Sequence, residues 1–479
     1  MPCGRLRTGE YRRCHRRFDI GLFASVKIAI IVQRYGTEIL GGSEYHCRLV
    51  AERLVSRHDV EILTTCARDY ITWANDYPVG TDRVRGVTVR RFANALERDI
   101  NSFNDYSNWI FHNRHSSDDE QEWLKQQGPW CPSLIEYLEQ HQASYDAIIF
   151  FTYLYAPTVL GLKVASKRSI LVPTAHDEPA IALDLYRHVF HAPSGIAYNT
   201  GVERAFLHSK FSISAKADKI IGCGVDLPAQ YTNGSIPAIE DLDQKDDTAI
   251  ASRNSVQSGA TAFRRRHRLY GPFALYGGRI DPGKGCEELI AHFGSYFSKH
   301  GDATLALMGV KLMPIPEEPY IRFAGLLSEH ERSEALHAAN VVIVPSQYES
   351  LSLLALESFA VGTPILANAR SDVVTDHCQR SNGGLYYADQ DEFVECLQLL
   401  MTNEDLRSSL GSNGQAYVKA NYEWDVIMDK YDYLLRSVSG KRASQSSRSR
   451  RTRPSASKAS RNSRSRNRGR SKPRNDSGR

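Results

Sequence analysis

Short apolar runs and amphipathic segments alternate along residues 26–225 of this 479-residue chain. The run KIAIIV at 27–32 is apolar after its first residue, as expected for a strand that is buried on both faces of a sheet. The pair Gly41-Gly42 precedes a helical pattern that extends to residue 56. This alternation predicts a first domain built from βαβ units around a parallel sheet. Further strands of this domain are predicted at 60–65, 87–92, 148–153, 170–174 and 220–225.

A second set of alternating elements occupies residues 266–420, followed by a predicted terminal helix at 421–439. Residues 226–265 are poor in large apolar side chains and are predicted to be an interdomain linker. The predicted fold class is therefore α/β, with two Rossmann-like, doubly wound domains that face each other across a cleft. Ligands of such sheets bind at the carboxyl ends of the strands. The second domain has predicted strands at 273–276, 303–310, 321–327, 341–344 and 364–367 and amphipathic helices at 286–297 and 329–339.

An insertion at residues 94–143 interrupts the first domain and is rich in Asn, Asp, Trp and Tyr. It has no strand period, and only 134–141 has a helical pattern. We expect such an insertion to carry specificity rather than core. Its aromatic side chains allow two interpretations, because Trp and Tyr rings stack on sugars and also build hydrophobic cores.

The two ends of the chain are strongly basic, whereas the residues between them carry a net negative charge. Residues 440–479 contain 15 Lys and Arg, 11 Ser, one acidic residue and no aromatic residue, which predicts a disordered tail. Residues 1–25 form a basic arm without the apolar run of a secretory signal. This arm is interpreted either as a short disordered segment or as translated sequence upstream of the true start. Residues 28–439 contain 38 basic and 52 acidic residues, so the overall charge of +5 does not indicate a nucleic-acid-binding body.

Composition excludes several other classes of protein and site. Apolar residues make up 42% of the chain and charged residues 24%, the balance of a soluble globular protein. No stretch approaches 18 uncharged apolar residues, so no membrane-spanning helix is predicted. The nine cysteines are scattered without a CxxC pair, which indicates neither a disulfide framework nor a cysteine-rich zinc site. A reducing cytoplasm fits this cysteine usage best.

The segment FALYGGRIDPGKGCEE, residues 273–288, has the residue types of a phosphate site. A predicted strand ends at Gly277-Gly278, and Arg279 and Lys284 follow in the loop before a helix. Glycines allow close approach of a ligand to the backbone, and two cations at a strand-to-helix turn neutralise a diphosphate. On its own the motif is equally compatible with a solvated turn.

The segment VVIVPSQYESLSLLALESFA, residues 341–360, has the residue types of a hydroxyl-binding site. Glu349 lies in a loop and Glu357 on the following helix, eight positions later. Carboxylate oxygens accept hydrogen bonds from sugar or ribose hydroxyls. The amides of residues 351–354 would face a phosphate at the helix N-terminus. Together the two segments combine phosphate-type and hydroxyl-type partners, which is the combination that a nucleotide sugar needs.

The pattern GR-x4-KG followed by E-x7-E resembles the large family of retaining glycosyltransferases of GT-B fold, family 4, of the glycosyltransferase group 1 type. The resemblance covers about 26–438. Its residues are Gly278, Arg279, Lys284 and Gly285 with Glu349 and Glu357, the pair Gly41-Gly42, His176 in PTAHDEP, Gly224-Val225-Asp226, and GTPILA at 362–367.

The resemblance implies a role for each matching residue. Arg279 and Lys284 would bind the donor diphosphate and stabilise its departure, Glu357 would bind the donor ribose, and Glu349 and His176 would contact the transferred sugar. Many relatives have glycines where this chain has serines at 350 and 352, which leaves donor identity open. The implied donor-binding set is Gly41, Gly42, Gly278, Ser350, Leu351, Ser352, Leu353 and Glu357.

The implied reaction moves a hexosyl group from a nucleoside diphosphate sugar to a glycan, lipid-linked or other hydroxyl acceptor with retention of configuration. The leaving phosphate would take the acceptor's proton on the front face. The insertion 94–143 is the candidate acceptor region. No metal and no further cofactor are expected, because Arg279 and Lys284 would take the role that Mg²⁺ has elsewhere. The acidic run Asp118-Asp119-Glu120 is interpreted as a solvated face.

An alternative function is that of a polyanion- or nucleic-acid-binding protein that acts through its basic tail, with a degenerate transferase as scaffold. The tail has no aromatic residue for base stacking. Weak attraction of the tail to anionic membrane or to nucleic acid is expected in either case. The expected location is the cytoplasm, with peripheral attachment at the inner face of the membrane as an option, and oligomeric state stays open.

Overall fold

The computed structural model describes residues 25–39, 41–227 and 258–439. Three predicted segments lie wholly or largely outside these residues, namely the basic arm, the central part of the predicted linker and the basic tail.

Eight strands form the first sheet, in the order β3-β4-β2-β1-β5-β6-β7-β8. All neighbouring strands are parallel except β3 and β4, which form an antiparallel hairpin at one edge. In β1, Ile30 is paired with Ile62 on one side and Ile149 on the other, which explains why this strand reads as continuously apolar. The strands are β1 (Lys27–Ile31), β2 (Asp59–Thr65), β3 (Gly80–Val84), β4 (Val87–Phe92), β5 (Ala147–Phe151), β6 (Ser169–Val172), β7 (Gly195–Tyr198) and β8 (Ala217–Ile220).

Six parallel strands form the second sheet, in the order β11-β10-β9-β12-β13-β14. The strand order reverses next to β9 in this sheet and next to β1 in the first, as in doubly wound folds. The strands are β9 (Phe273–Gly277), β10 (Thr304–Met308), β11 (Ile321–Gly325), β12 (Val341–Val344), β13 (Ile365–Asn368) and β14 (Gly384–Tyr387).

Helices pack on both sheets. The last helix, α15, follows the strands of the second sheet in sequence but packs against β5 to β8 of the first sheet. No helix in the described ranges is both long and apolar enough to cross a bilayer. The helices are α1 (Gly42–Leu54), α2 (Ile100–His112), α3 (Ser117–Gln127), α4 (Pro132–His141), α5 (Ala156–Val164), α6 (Leu185–His191), α7 (Gly201–Lys210), α8 (258–266), α9 (Cys286–His300), α10 (Glu329–Ala338), α11 (Leu353–Ala360), α12 (Asp372–Ser381), α13 (Gln390–Thr402), α14 (Glu404–Asn421) and α15 (Trp424–Ser439).

The insertion 94–143 contains three helices, α2 to α4, and contributes to the core, so the expectation that it lies outside the core is wrong. Its role in specificity stays a prediction. Trp123 is buried, while Trp109 is exposed. The interpretation of Asp118-Asp119-Glu120 as a solvated face is wrong for Glu120, because this buried carboxylate accepts from the backbone N–H groups of residues 184 and 185 at 2.9 and 2.7 Å. Core residues from the insertion are Phe103, Ile110, Trp123, Leu124, Cys131, Leu134 and Leu138.

Four strands of the structure differ from those predicted from the sequence. The strand predicted at 220–225 lies instead at Ala217–Ile220, because the chain then leaves the sheet and Val225 N–H donates to the carbonyl of Tyr422. Strand β3 was not predicted because its sequence, GTDRV, is polar and mostly exposed at a sheet edge. Strands β7 and β14, with the sequences GIAY and GLYY, were not predicted, because each begins with glycine and has no long apolar run.

Candidate active site

A cleft of about 510 Å³ lies at the carboxyl ends of the strands of both sheets. Its walls contain every residue that the sequence predicted for the site. These are Gly41, Gly42, His176, Gly278, Arg279, Lys284, Glu349, Ser350, Leu351, Ser352, Leu353 and Glu357.

The glycine pair lies at the start of α1, where Gly41 is the N-cap residue. A Cβ atom at Gly41 would lie 2.1 Å from Oε2 of Glu44, so the buried Glu44 carboxylate requires glycine there. A Cβ atom at Gly42 would meet nothing within 4 Å. The backbone at Gly42 is therefore open to a ligand in the cleft.

The loop after β9 holds two cations at the cleft. Asp281 accepts from the Lys284 N–H at 3.0 Å and lies 3.2 Å from Nε of Arg279, which shapes the turn. The loop passes against the carbonyl of Pro345, and Gly285 there has φ +74 and no space for a side chain. Lys284 Nζ donates to Oε1 of Glu349 at 2.8 Å, so two of the predicted catalytic residues form an ion pair.

Glu349, in the loop between β12 and α11, and Glu357, on α11, lie on the same wall of the cleft. Glu357 accepts a hydrogen bond from Arg332, whose guanidinium also donates to the Tyr45 hydroxyl at 2.9 Å. Burial raises the pKa of Glu357, and the positive charge of Arg332 acts in the opposite direction. Neither Arg332 nor Tyr45 was predicted for the site, and Arg332 is one of several charged residues on α10.

Ser352, the N-cap of α11, has a left-handed backbone with φ +59 and ψ 77. Glycine adopts this conformation without the clash that a Cβ atom causes. This geometry favours the glycine that the family resemblance implies near this position.

We expect Ser352→Gly to raise the free energy of unfolding by up to about 1 kcal/mol, because relief of the left-handed strain exceeds the added entropy of the unfolded chain. Urea denaturation measures this change. Ser350 is the matched control, since its backbone is not left-handed and Ser350→Gly removes the hydroxyl that accepts from Asn199 at 3.3 Å. A lower unfolding free energy for Ser352→Gly than for the parent chain would contradict the assignment of strain.

The opposite wall includes the start of α1 and the loops after β1, β2, β5, β6 and β7. His176 lies on it with its ring centroid 5.5 Å from that of Tyr348 in the second half of the chain. Glu178 also lines this wall and accepts from the Tyr153 hydroxyl at 2.5 Å. His176 was predicted for the site only through the family resemblance. Glu178 was not predicted, although it belongs to the same PTAHDEP segment.

Glu203 holds two loops of this wall in place. Its carboxylate accepts from the N–H groups of Ala175 and Asn199, each at 2.6 Å, and its side chain is buried. Ala175 precedes His176, and Asn199 lines the cleft. Burial raises the pKa of Glu203 to about 8, against the opposing effect of the two backbone hydrogen bonds.

Residues 94–143 do not line this cleft. They form most of a separate pocket of about 230 Å³ beside Trp73. The role of this insertion in acceptor binding stays a prediction. No group of three or more His, Cys, Asp or Glu side chains within the described ranges is arranged to hold a metal ion.

Residues 261–417 match the family described as glycosyl transferases group 1. A glycogen synthase of Mycobacterium tuberculosis is 23% identical over 360 residues, which cover 72% of this chain and 78% of that protein. Among solved structures, a sucrose-phosphate synthase of Thermosynechococcus elongatus aligns with a TM-score of 0.60 and 18% identity over 86% of this chain and 99% of its own. HepE of Anabaena, solved with UDP and glucose, aligns with a TM-score of 0.60 and 16% identity over 86% of this chain and 100% of its own. The chain therefore has a GT-B fold, and its second domain matches the group 1 glycosyltransferases over residues 261–417.

Proposed function

We propose that this protein transfers a hexosyl group from a nucleoside diphosphate sugar to a hydroxyl acceptor with retention of configuration. The observation that carries the proposal is the composition of one cleft, in which the Arg279 and Lys284 cations lie on the same wall as the Glu349 and Glu357 carboxylates. A nucleotide sugar presents a diphosphate beside ribose and sugar hydroxyls, so its polar groups match this wall. The presence of UDP and glucose in the HepE structure supports the same class of donor.

In the proposed complex, Arg279 and Lys284 neutralise the diphosphate and the N-terminal amides of α11 face its oxygens. Glu357 accepts hydrogen bonds from the ribose and exchanges its contact with Arg332 for them. Glu349 holds the Lys284 ammonium at the leaving group through the 2.8 Å ion pair. His176 and Glu349 contact the transferred sugar, and the open backbone at Gly42 lies beside the phosphates.

The proposed step breaks the bond between the anomeric carbon and the phosphate oxygen and forms a bond from that carbon to the acceptor oxygen on the same face. The acceptor proton passes to the leaving phosphate oxygen, so atoms and charge balance without an enzyme nucleophile. Arg279 and Lys284 stabilise the negative charge that develops on the diphosphate. The proposal includes no metal and no further cofactor, because these two cations supply the positive charge.

The acceptor in this proposal is a glycan or lipid-linked hydroxyl, and the reaction takes place in the cytoplasm or at the inner face of its membrane. The described cysteines are all free thiols, which suits a reducing compartment. Attraction of the tail 440–479 to anionic membrane or nucleic acid is proposed as an accessory role and not as the function.

Slow transfer to water tests the proposal without knowledge of the acceptor. We expect the full chain to hydrolyse one of UDP-, GDP- or ADP-glucose or -mannose, and proton NMR to show the α-anomer of the free sugar before mutarotation. Glu357→Ala should reduce this turnover at least about 100-fold, because the donor loses the carboxylate that accepts from its ribose hydroxyls. The exposed Glu395→Ala is the matched control and should leave the rate unchanged. First appearance of the β-anomer, or full activity of Glu357→Ala, would contradict the proposal.

A further inference from the structure

Each arginine or lysine side chain that lines the described cleft either binds a carboxylate or faces the diphosphate in the proposed function. On the first-sheet wall, Arg34 donates to Glu44 Oε1 from Nε and Nη2 at 3.0 and 2.6 Å and to the Arg68 carbonyl at 2.9 Å. His46 on the same wall carries no charge at neutral pH, because burial lowers its pKa to about 4. On the opposite wall, Arg332 binds Glu357. The remaining two, Arg279 and Lys284, face the diphosphate in the proposed function.

One carboxylate on the first-sheet wall, that of Glu178, is not paired with an arginine or lysine within the described part of the chain. Its Oε1 accepts from the Tyr153 hydroxyl at 2.5 Å and lies 3.9 Å from Nδ1 of His176. Its Oε2 has no hydrogen-bond partner among the described residues. The side chain is 24% exposed, so this oxygen is accessible to a ligand in the cleft.

Left-handed backbone occurs close to both residues that contact this carboxylate. Thr152 has φ +60 directly before Tyr153, and Thr174 has φ +52 two residues before His176. Both are β-branched residues at the carboxyl ends of strands, where a left-handed backbone is costly and persists only when the surroundings impose it. Such strain concentrates at functional sites, and here both strained residues line the cleft.

We propose that the acceptor end that enters this cleft is a neutral polyol, a sugar or cyclitol ring, and that one of its hydroxyl groups donates a hydrogen bond to Glu178. This inference rests on the proposed function and deepens it. A carboxylate is an acceptor for hydroxyl groups, whereas a phosphate beside it would meet like charge without an uncommitted arginine or lysine on the cleft walls.

The test uses two matched pairs of probes, glucose against glucose 6-phosphate and myo-inositol against myo-inositol 3-phosphate. Transfer from the donor identified above is measured with each probe, and saturation-transfer NMR measures binding in the presence of the nucleoside diphosphate. We expect the neutral member of at least one pair to be used and bound at least about 10-fold better than its phosphate.

Variants of Glu178 then assign the preference to this side chain. Glu178→Gln should lower kcat/KM for the neutral probe at least about 10-fold and leave the nucleotide-induced shift in melting temperature unchanged. Glu178→Lys should reverse or abolish the preference for the neutral probe. The exposed carboxylate Glu139 is the matched control, and Glu139→Gln should change neither property.

Three outcomes would overturn the inference. They are better use of the phosphorylated probes by the parent chain, an unchanged ratio of neutral to phosphorylated probe in both Glu178 variants, and binding of none of the four probes by a chain that binds the nucleotide. Failure of the proposed function is a different result, because the chain would then bind no nucleoside diphosphate at all.

Discussion

Lys284→Ala is expected to reduce donor turnover about 100- to 1,000-fold. Its ammonium lies 2.8 Å from Glu349 in the loop proposed to receive the leaving diphosphate. Removal of one preorganised group that stabilises developing charge costs rates of this order. The protein should stay folded, because Lys284 and Glu349 are partly exposed and such ion pairs contribute at most about 1 kcal/mol to stability. Release of the nucleoside diphosphate from the preferred donor measures the effect.

Two further variants test whether turnover depends on the positive charge at the cleft and not on positive charge elsewhere in the protein. Lys284→Arg keeps the positive charge and should retain more activity than Lys284→Ala. Lys299 forms an ion pair of similar length, 2.6 Å, with Glu395 outside the cleft, and Lys299→Ala should leave turnover unchanged. Equal turnover in Lys284→Ala and the parent chain would remove Lys284 from the proposed mechanism.

Glu203→Ala is expected to lower the free energy of unfolding by about 2–5 kcal/mol. The change leaves the buried N–H groups of Ala175 and Asn199 without their acceptors, and each unsatisfied group costs about 1–3 kcal/mol. Glu203→Gln keeps one acceptor oxygen and should cost less. Urea denaturation at pH 7 measures both, and a loss below about 0.5 kcal/mol in Glu203→Ala would contradict the assigned role.

The same residue predicts a pH dependence of stability. Burial raises the folded-state pKa of Glu203 to about 8, above its ordinary value of 4.5. The folded protein therefore binds a proton that the unfolded chain has released, so this contribution to stability is present in full below about pH 4.5 and is lost as pH rises to about 8. The slope is at most about 1.4 kcal/mol per pH unit. Glu203→Gln should flatten the decline in unfolding free energy between pH 5.5 and 8, whereas the exposed control Glu139→Gln should leave it unchanged.

Central strands of both sheets could be predicted because their burial on two faces leaves a continuous apolar signature, as in β1 and β12. The edge strand β3 could not, since exposed backbone at an edge tolerates polar residues. The insertion was misjudged for a related reason. Its helices bury single aromatic residues such as Trp123 among many polar ones, so its composition conceals its share of the core.

The wall of the cleft that the second domain forms could be predicted, because most of its predicted residues lie in two short segments, 273–288 and 341–360. On the opposite wall, the family resemblance predicted Gly41, Gly42 and His176. Tyr45, Glu178 and Glu203 could not be predicted, because they come from separate parts of the chain and meet only after folding. Arg332 contacts Glu357 across 25 positions, a spacing that no local motif records. The left-handed backbone of Ser352 is likewise a tertiary property, and only the glycine implied by the family resemblance pointed to that position.

The central claim is that the cleft binds a nucleoside diphosphate through Glu357 and the two cations of the β9 loop. Its most direct test is the thermal stability of the full chain with UDP, GDP, ADP and CDP. A nucleotide at about 100 times its dissociation constant should stabilise the fold by about 2.7 kcal/mol. We predict that one nucleotide raises the melting temperature, that Glu357→Ala abolishes this rise while remaining folded without ligand, and that Glu395→Ala retains it. Absence of a shift with all four nucleotides in a folded sample, or an undiminished shift in Glu357→Ala, would contradict the account.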